Sequence, residues 1–106
     1  MTETIVQTAK VFSDVNRVRI AALLQREGAL CVCAVCDTLS LSQPLVSRHL
    51  KQMREAGVVT VTQRGKWSLY SIDTTHALYD LCRALLDEVA SQLPQTVECA
   101  RLSHGS

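Results

Sequence analysis

Apolar residues recur along this chain at two different periods, and the change of period divides it. Ile5, Ala9 and Phe12 stand at helical spacing, and Ser13-Asp14 follows as a break and a new N-cap, which predicts a first helix from about Glu3 to Phe12. VNRVRIAALLQREG places Ile20, Leu23 and Leu24 on one stripe and ends in Gly28, predicting a second helix over Val15 to Glu27. ALCVCAVCDTL reads as a short third helix ending near Leu39, where Ser40-Leu41-Ser42 turns the chain. Ser42 is a suitable N-cap, and Pro44 falls in the first turn of the fourth helix, where a missing N–H costs nothing. That helix runs to Glu55 and stops at Gly57. Its stripe of Val46, Leu50 and Met53 leaves Gln43, Ser47, Arg48 and Lys51 outward.

In VVTVTQRGKWSLYSI the period falls to two, with β-branched residues on both sides of a Gln63-Arg64-Gly65-Lys66 turn, so a β-hairpin is predicted. Trp67 is expected to pack beneath it. Thr74 can cap a last helix, in which Leu78, Leu81, Cys82, Leu85 and Val89 keep heptad-like spacing. Beyond Pro94 periodicity is lost, which predicts a mobile tail over 94–106.

A short helix, a tight turn and a helix with a polar, basic outer face, followed by a hairpin, is the pattern of a winged helix-turn-helix. The fold class read from the sequence is mainly α with a β-hairpin, in the order αααα-ββ-α, as one domain over residues 1–106. A chain of 106 residues buries a modest fraction of its surface, so a homodimer is expected, through Ile5, Ala9 and Phe12 of the first helix and Leu78, Leu81, Cys82, Leu85 and Val89 of the last. The start of the chain has no basic stretch followed by an apolar core, and nowhere do eighteen apolar residues run together. A cytoplasmic protein with no membrane partner is expected.

Net charge is only +1, but its distribution is uneven. Between Ser42 and Tyr70 five basic residues (Arg48, Lys51, Arg54, Arg64 and Lys66) face one acid, Glu55, a local +4; from Ser71 onward the balance is −3. Positive charge is therefore concentrated on the predicted helix-turn-helix and hairpin, where phosphates would bind. Arg48 and Lys51, a turn apart beside Ser47 and backed by Arg64 and Lys66, suit phosphate and base contacts better than a merely solvated face. His49 either touches phosphate or holds the helix-turn-helix together by hydrogen bonding.

Five cysteines is an odd number, and Cys31, Cys33 and Cys36 fall within six residues. In a reducing compartment such a cluster points to metal binding or redox sensing more than to a disulfide framework. Soft thiolates favour soft or borderline ions. On an ideal helix Cys33 and Cys36 share nearly one face, while Cys31 points roughly 140° to 160° away. A trigonal site needs its sulfurs within about 4 Å of one another, given metal–sulfur bonds near 2.3 Å. Either Cys31 precedes the helix proper, or a ligand unwinds the first turn.

In a redox reading, Cys33 and Cys36 are the pair that would bridge, with a thiol pKa lowered by the helix N-terminus. Cys82 sits on an apolar stripe, where packing explains it. Cys99 lies in the polar tail, incidental or part of a second thiol site. His76 and His104 read as solvated. No paired base, glycine-rich phosphate loop or thioredoxin-like pattern is present, so an enzyme is not predicted.

From about Val15 to Ile72 the chain resembles the ArsR/SmtB family of winged-helix metalloregulatory repressors, and more narrowly its arsenic-responsive members. ALCVCAVCDTL is similar to the family's ELCVCDL segment, SQPLVSRHLKQMREAGVV to its recognition-helix signature, and RGKWSLYSI to the wing of the arsenic repressors. The resemblance implies a homodimer that binds an imperfect palindrome in double-stranded operator DNA and represses an arsenic or antimony resistance operon. As(III) or Sb(III) as inducer, with no organic cofactor, would bind Cys31, Cys33 and Cys36 and release the DNA. Ser42, Gln43, Ser47, Arg48 and His49 lie in the DNA-reading signature, and Arg64, Gly65 and Lys66 form the wing tip.

Ala29 and Ala34 replace the two acids of ELCVCDL. Asp73 and His76 lack the spacing of the family's zinc site, and the cysteine-bearing N-terminal arm of the cadmium and lead sensors has no counterpart. This tilts the expectation to three ligands and to arsenic or antimony. A repressor of the same family sensing Cd, Pb or Zn, or a thiol redox repressor, is the alternative.

Overall fold

Helices carry most of the architecture. The computed structural model describes residues 1–97, with helices α1 (Thr2–Val11), α2 (Val15–Glu27), α3 (Val32–Leu39), α4 (Gln43–Glu55) and α5 (Tyr79–Ala90). Strands β1 (Ala29–Cys31), β2 (Val59–Arg64) and β3 (Trp67–Ile72) form one antiparallel sheet in the order β1-β3-β2. The predicted order holds with one addition, β1. Its three residues, too few to show a period, follow Gly28, whose φ of 91° turns the chain out of α2.

The predicted stripes form the core. Ile20, Leu23 and Leu24 of α2 meet Val46, Leu50 and Met53 of α4, joined by Val35 of α3 and Val59 of β2, all essentially inaccessible. Burying each such side chain stabilises the fold by about 1.5–3 kcal/mol. Side-chain caps fix where the helices begin. Asp14 accepts from the backbone N–H groups of Asn16 (2.8 Å) and Arg17 (3.2 Å), and Ser42 accepts from that of Leu45 (3.4 Å).

Four expectations are corrected. Gln63 and Arg64 belong to β2, paired with Ser68 and Trp67, so the wing closes through Gly65-Lys66 alone; Gly65 at φ 61° suits the first position of a tight two-residue hairpin turn. Thr74 does not cap α5. The helix starts later because Asp73 folds an Asx turn onto Thr75, accepting from its N–H (2.9 Å) and hydroxyl (2.6 Å). His76 Nδ1 then accepts from the Leu78 N–H at 3.1 Å, just ahead of the first turn. His76 is thus half-buried rather than solvated, and its Nε2 lies 3.4 Å from the Thr8 hydroxyl of α1.

The last correction concerns the apolar stripes assigned to a dimer, which divide between two faces. Leu81 (72 % exposed), Leu85 (69 %) and Ile5 (49 %) face outward, as does Ala9. Phe12, Cys82 and Val89 pack on the protein's own core, and Leu78 is half-buried. Leu86 and Ala90, outside the predicted set, are the α5 residues fully buried. An α5 that lies along α2 must commit one face to it, leaving the other bare.

Hydrogen bonds link the segment after α5 to α2 and α3 as far as residue 97. Arg26 of α2 donates to the carbonyls of Ala90 (3.0 Å), Leu93 (3.3 Å) and Pro94 (2.6 Å) and to the Thr96 hydroxyl (3.1 Å). Thr38 of α3 accepts from the Val97 N–H at 2.9 Å. His104 and Cys99 lie outside the described residues.

Candidate thiol site and nucleic-acid interface

Cys31 is the last residue of β1 and stands in the N-cap position of α3, with an extended backbone (φ −78°, ψ 163°). It therefore precedes the helix proper. Leaving the helical path frees its side chain from the 140° to 160° divergence of a continuous helix, and its Sγ lies 3.8 Å from that of Cys33. Cys31 is only 3 % exposed, whereas Cys33 and Cys36 are half-buried. Two sulfurs thus stand side by side at the start of α3.

Cys36 is not gathered with them. Among the described residues no three His, Cys, Asp or Glu side chains are grouped closely enough to hold a metal ion. Burial pushes the Cys36 thiol up, helped by the adjacent Asp37 carboxylate and by Cys31, against a small opposing effect of its own backbone N–H. The direction is opposite to the lowering expected from a helix N-terminus, because Cys36 sits a full turn inside α3. Cys82, on the core-facing side of α5, is raised by burial as well and stands apart from the cluster.

α3 packs on α4, the helix that carries the basic face. On α4, Ser42, Gln43, Ser47, Arg48 and Lys51 are all exposed, and across the β2–β3 turn so are Arg64, Gly65 and Lys66. Trp67 is half-buried next to the hairpin turn, paired with Arg64. His49 departs from this set. It is 5 % exposed and turned inward, so of its two readings the structural one holds and a direct DNA contact does not.

Arg17 Nη1 donates to His49 Nδ1 (3.3 Å) and to Gln52 Oε1 (2.8 Å), while its Nε and Nη2 reach the carbonyls of Val11 (2.8 Å) and Lys10 (3.1 Å). A guanidinium only donates, so His49 Nδ1 accepts and the ring is neutral with its proton on Nε2, which points at Asp14 Oδ1 at 3.9 Å. Burial lowers the His49 pKa; Asp14 opposes this, and Arg17 and Arg48 add to it.

Arg17 and Asp14 therefore tie α4 to α1 and α2. Sequence reasoning missed Arg17 because its partners lie 32 and 35 residues away; the cap position of Asp14 was the only local signal. The strap from Arg26 and Thr38 was invisible for the same reason.

Comparisons with known proteins match this arrangement. Residues 14–61 fit the model described as "Bacterial regulatory protein, arsR family". The chain is 46 % identical over 63 residues to the arsenic resistance transcriptional regulator ArsR1 of Pseudomonas putida, covering 59 % of this chain and 49 % of that one. It thus spans about half the length of that relative. It is 40 % identical over 88 residues to the cadmium resistance transcriptional regulatory protein CadC homolog of Staphylococcus aureus, covering 78 % of this chain and 73 % of that one. Among solved structures, the transcriptional repressor PagR of Bacillus anthracis superposes with a TM-score of 0.71 at 28 % identity, over 81 % of this chain and 95 % of that one. On its fold, its matched segment and the extent of these similarities, the chain belongs to the ArsR family of bacterial regulatory proteins.

Proposed function

We propose that this chain is a cytoplasmic, homodimeric repressor of an arsenic or antimony resistance operon, released from operator DNA when As(III) or Sb(III) binds Cys31, Cys33 and Cys36. The observation that carries the reading is the 3.8 Å approach of the Cys31 and Cys33 sulfurs at the start of α3, the helix packed against the reading helix. A trivalent metalloid takes three sulfurs, and only two are in place. Drawing Cys36 to the other two means distorting α3 by part of a turn. In the fully reduced protein each thiol would give up its proton on binding, so capture would also change the charge inside the site.

A ligand that binds the distorted state better must, by linkage, weaken whatever binds the undistorted one. A coupling of about 1–3 kcal/mol is enough to change operator affinity by roughly 5- to 150-fold. DNA contact falls to Ser42, Gln43, Ser47, Arg48 and Lys51, with Arg64, Gly65 and Lys66 of the wing on phosphate. Leu81, Leu85 and Ile5 supply an apolar surface for a second copy, which would place two α4 helices on the two halves of an imperfect palindrome. The similarity to the P. putida regulator supports arsenic; similarity to the S. aureus protein keeps a Cd, Pb or Zn response as the second reading.

The test is operator binding by the wild type and by Cys31→Ser, Cys33→Ser and Cys36→Ser, titrated with arsenite, antimonite, cadmium and peroxide. Release of the wild type by arsenite or antimonite, with each serine variant left bound, is the expected result. A Cys33→Ser protein that left its operator at the wild-type arsenite concentration would overturn it. Release by peroxide alone would mean a redox sensor.

A further inference from the structure

His76 stands where α1, the end of α4 and the start of α5 meet. Its N–H donates to the Asp73 carbonyl (3.1 Å) and its carbonyl accepts from the Tyr79 N–H (3.0 Å), while the Asp73 N–H donates to the carbonyl of Val58, just past α4 (2.9 Å). The ring lies beside Gly57, where an added Cβ would stand 3.7 Å from its Cδ2. Its two nitrogens have different tasks. A backbone N–H only donates, so Nδ1, 3.1 Å from the Leu78 nitrogen, accepts and carries no proton. The proton of the neutral ring is therefore on Nε2, which faces the Thr8 hydroxyl at 3.4 Å. That hydroxyl donates to the Thr4 carbonyl (2.7 Å) and is left to accept from the ring.

This contact matters to α1 because α1 packs only lightly on each of the other elements. Arg17 holds its C-terminal end through the carbonyls of Lys10 and Val11. Along its middle, the polar tie among the described residues is Thr8 to His76, and Thr8 is only 4 % exposed. An element with few buried contacts opens at low free-energy cost. One proton can then decide whether it is docked. A charged imidazole donates from both nitrogens, which would set Nδ1–H against the Leu78 N–H, two donors 3.1 Å apart. The ring would have to turn away, and a cavity of about 20 Å³ beside it leaves room. Asp73 is the carboxylate that lines this cavity; the Thr75 hydroxyl and N–H hold it below the usual carboxylate range, and His76 adds to this. Tyr79 and Cys82 of α5 are the other titratable side chains there, and α1 presents the uncharged Thr8 and Phe12.

We propose that His76 is a positioning residue whose neutral ring docks α1 on the start of α5, and that protonating the ring releases α1. The consequence for assembly rests on the dimer reading above. α1 carries Ile5 and α5 carries Leu81 and Leu85, so release would divide the apolar surface offered to a second copy. By linkage, whatever favours the docked arrangement lowers the proton affinity of the ring.

The experiment follows amide hydrogen exchange in wild type, His76→Gln, His76→Asn and Thr8→Val from pH 7.5 to 5.5, as protection factors of α1 referred to those of α2. Wild-type α1 protection should fall about tenfold or more across the window, the scale set by one imidazole proton. Both His76 variants should give a flat profile, and Thr8→Val should give low protection at every pH. A merely structural role would lower protection without making it depend on pH. Constant α1 protection in the wild type, or a fall that persists undiminished in His76→Gln, overturns the proposal. Sedimentation at the same pH values tests the dimer separately. Dissociation on acidification in the wild type and not in His76→Gln supports the coupling, whereas a protein monomeric at every pH overturns the dimer reading and leaves the exchange result standing.

Discussion

Arg17 and His49 meet at 3.3 Å between α2 and α4, with the guanidinium donating to an imidazole nitrogen that must stay unprotonated to accept. The contact fixes the orientation of α4 only while the ring is neutral. Because burial depresses the His49 pKa below the usual 6.5, the folded protein binds fewer protons there than the unfolded chain does. Stability should therefore be intact above about pH 6.5 and decline as pH falls from that value toward the folded pKa. Urea unfolding from pH 8 to pH 5 tests this. His49→Gln, which cannot titrate, should flatten the decline across that window.

Replacing Arg48 should weaken operator binding by about 1–3 kcal/mol and relax selectivity at one base position. Lys51→Ala should instead weaken all duplexes alike and reduce the salt slope by about one. Anisotropy titrations against a duplex selected from random sequence and against a scrambled one, at several salt concentrations, separate the two effects. Unchanged affinity in both variants would remove α4 from the interface.

The two faces of α5 should respond differently to substitution. Leu86 is buried, so Leu86→Ala should cost about 2–5 kcal/mol of stability. Leu81 and Leu85 are exposed, so Leu81→Lys with Leu85→Lys should leave the protomer fold near wild type by circular dichroism and shift sedimentation to the monomer. A dimer that persists in the lysine variant would place the partner copy elsewhere.

Helix caps give a smaller and local test. Ser42→Ala removes the one side-chain cap of α4 and should cost about 1 kcal/mol. Asp14→Ala should cost more than Ser42→Ala, because the carboxylate caps α2 with two backbone N–H groups and also faces His49. Denaturation midpoints of the two variants, measured side by side, decide the order.

What the sequence disclosed follows from range. The caps at Asp14 and Ser42 and the stripe Val46, Leu50 and Met53 are set by residues within a few positions of one another, and each fell where local pattern put it. The exposed basic residues of α4 and the wing were legible for the same reason. β1 was not, since its strand character comes from pairing with Ser71, Tyr70 and Leu69 some forty residues onward. The inward turn of His49 depends on Arg17, the delayed start of α5 on a local Asx turn that displaced Thr74, and the split of the α5 stripe on the docking of α2. For the cysteines, spacing posed the geometric problem without solving it. Placing Cys31 ahead of the helix took the tertiary pairing of β1.

That pairing has a mechanical consequence. Cys31 is laddered directly opposite Leu69 of β3, three residues from Lys66 at the hairpin tip, and β3 is the middle strand of the sheet. Any ion that pulls on the Cys31 sulfur thus pulls on the strand that aims the wing, as well as on the helix behind it. On the function proposed above, grip on DNA through the groove and grip through the backbone would be loosened by one displacement, so the two halves of the interface should let go together.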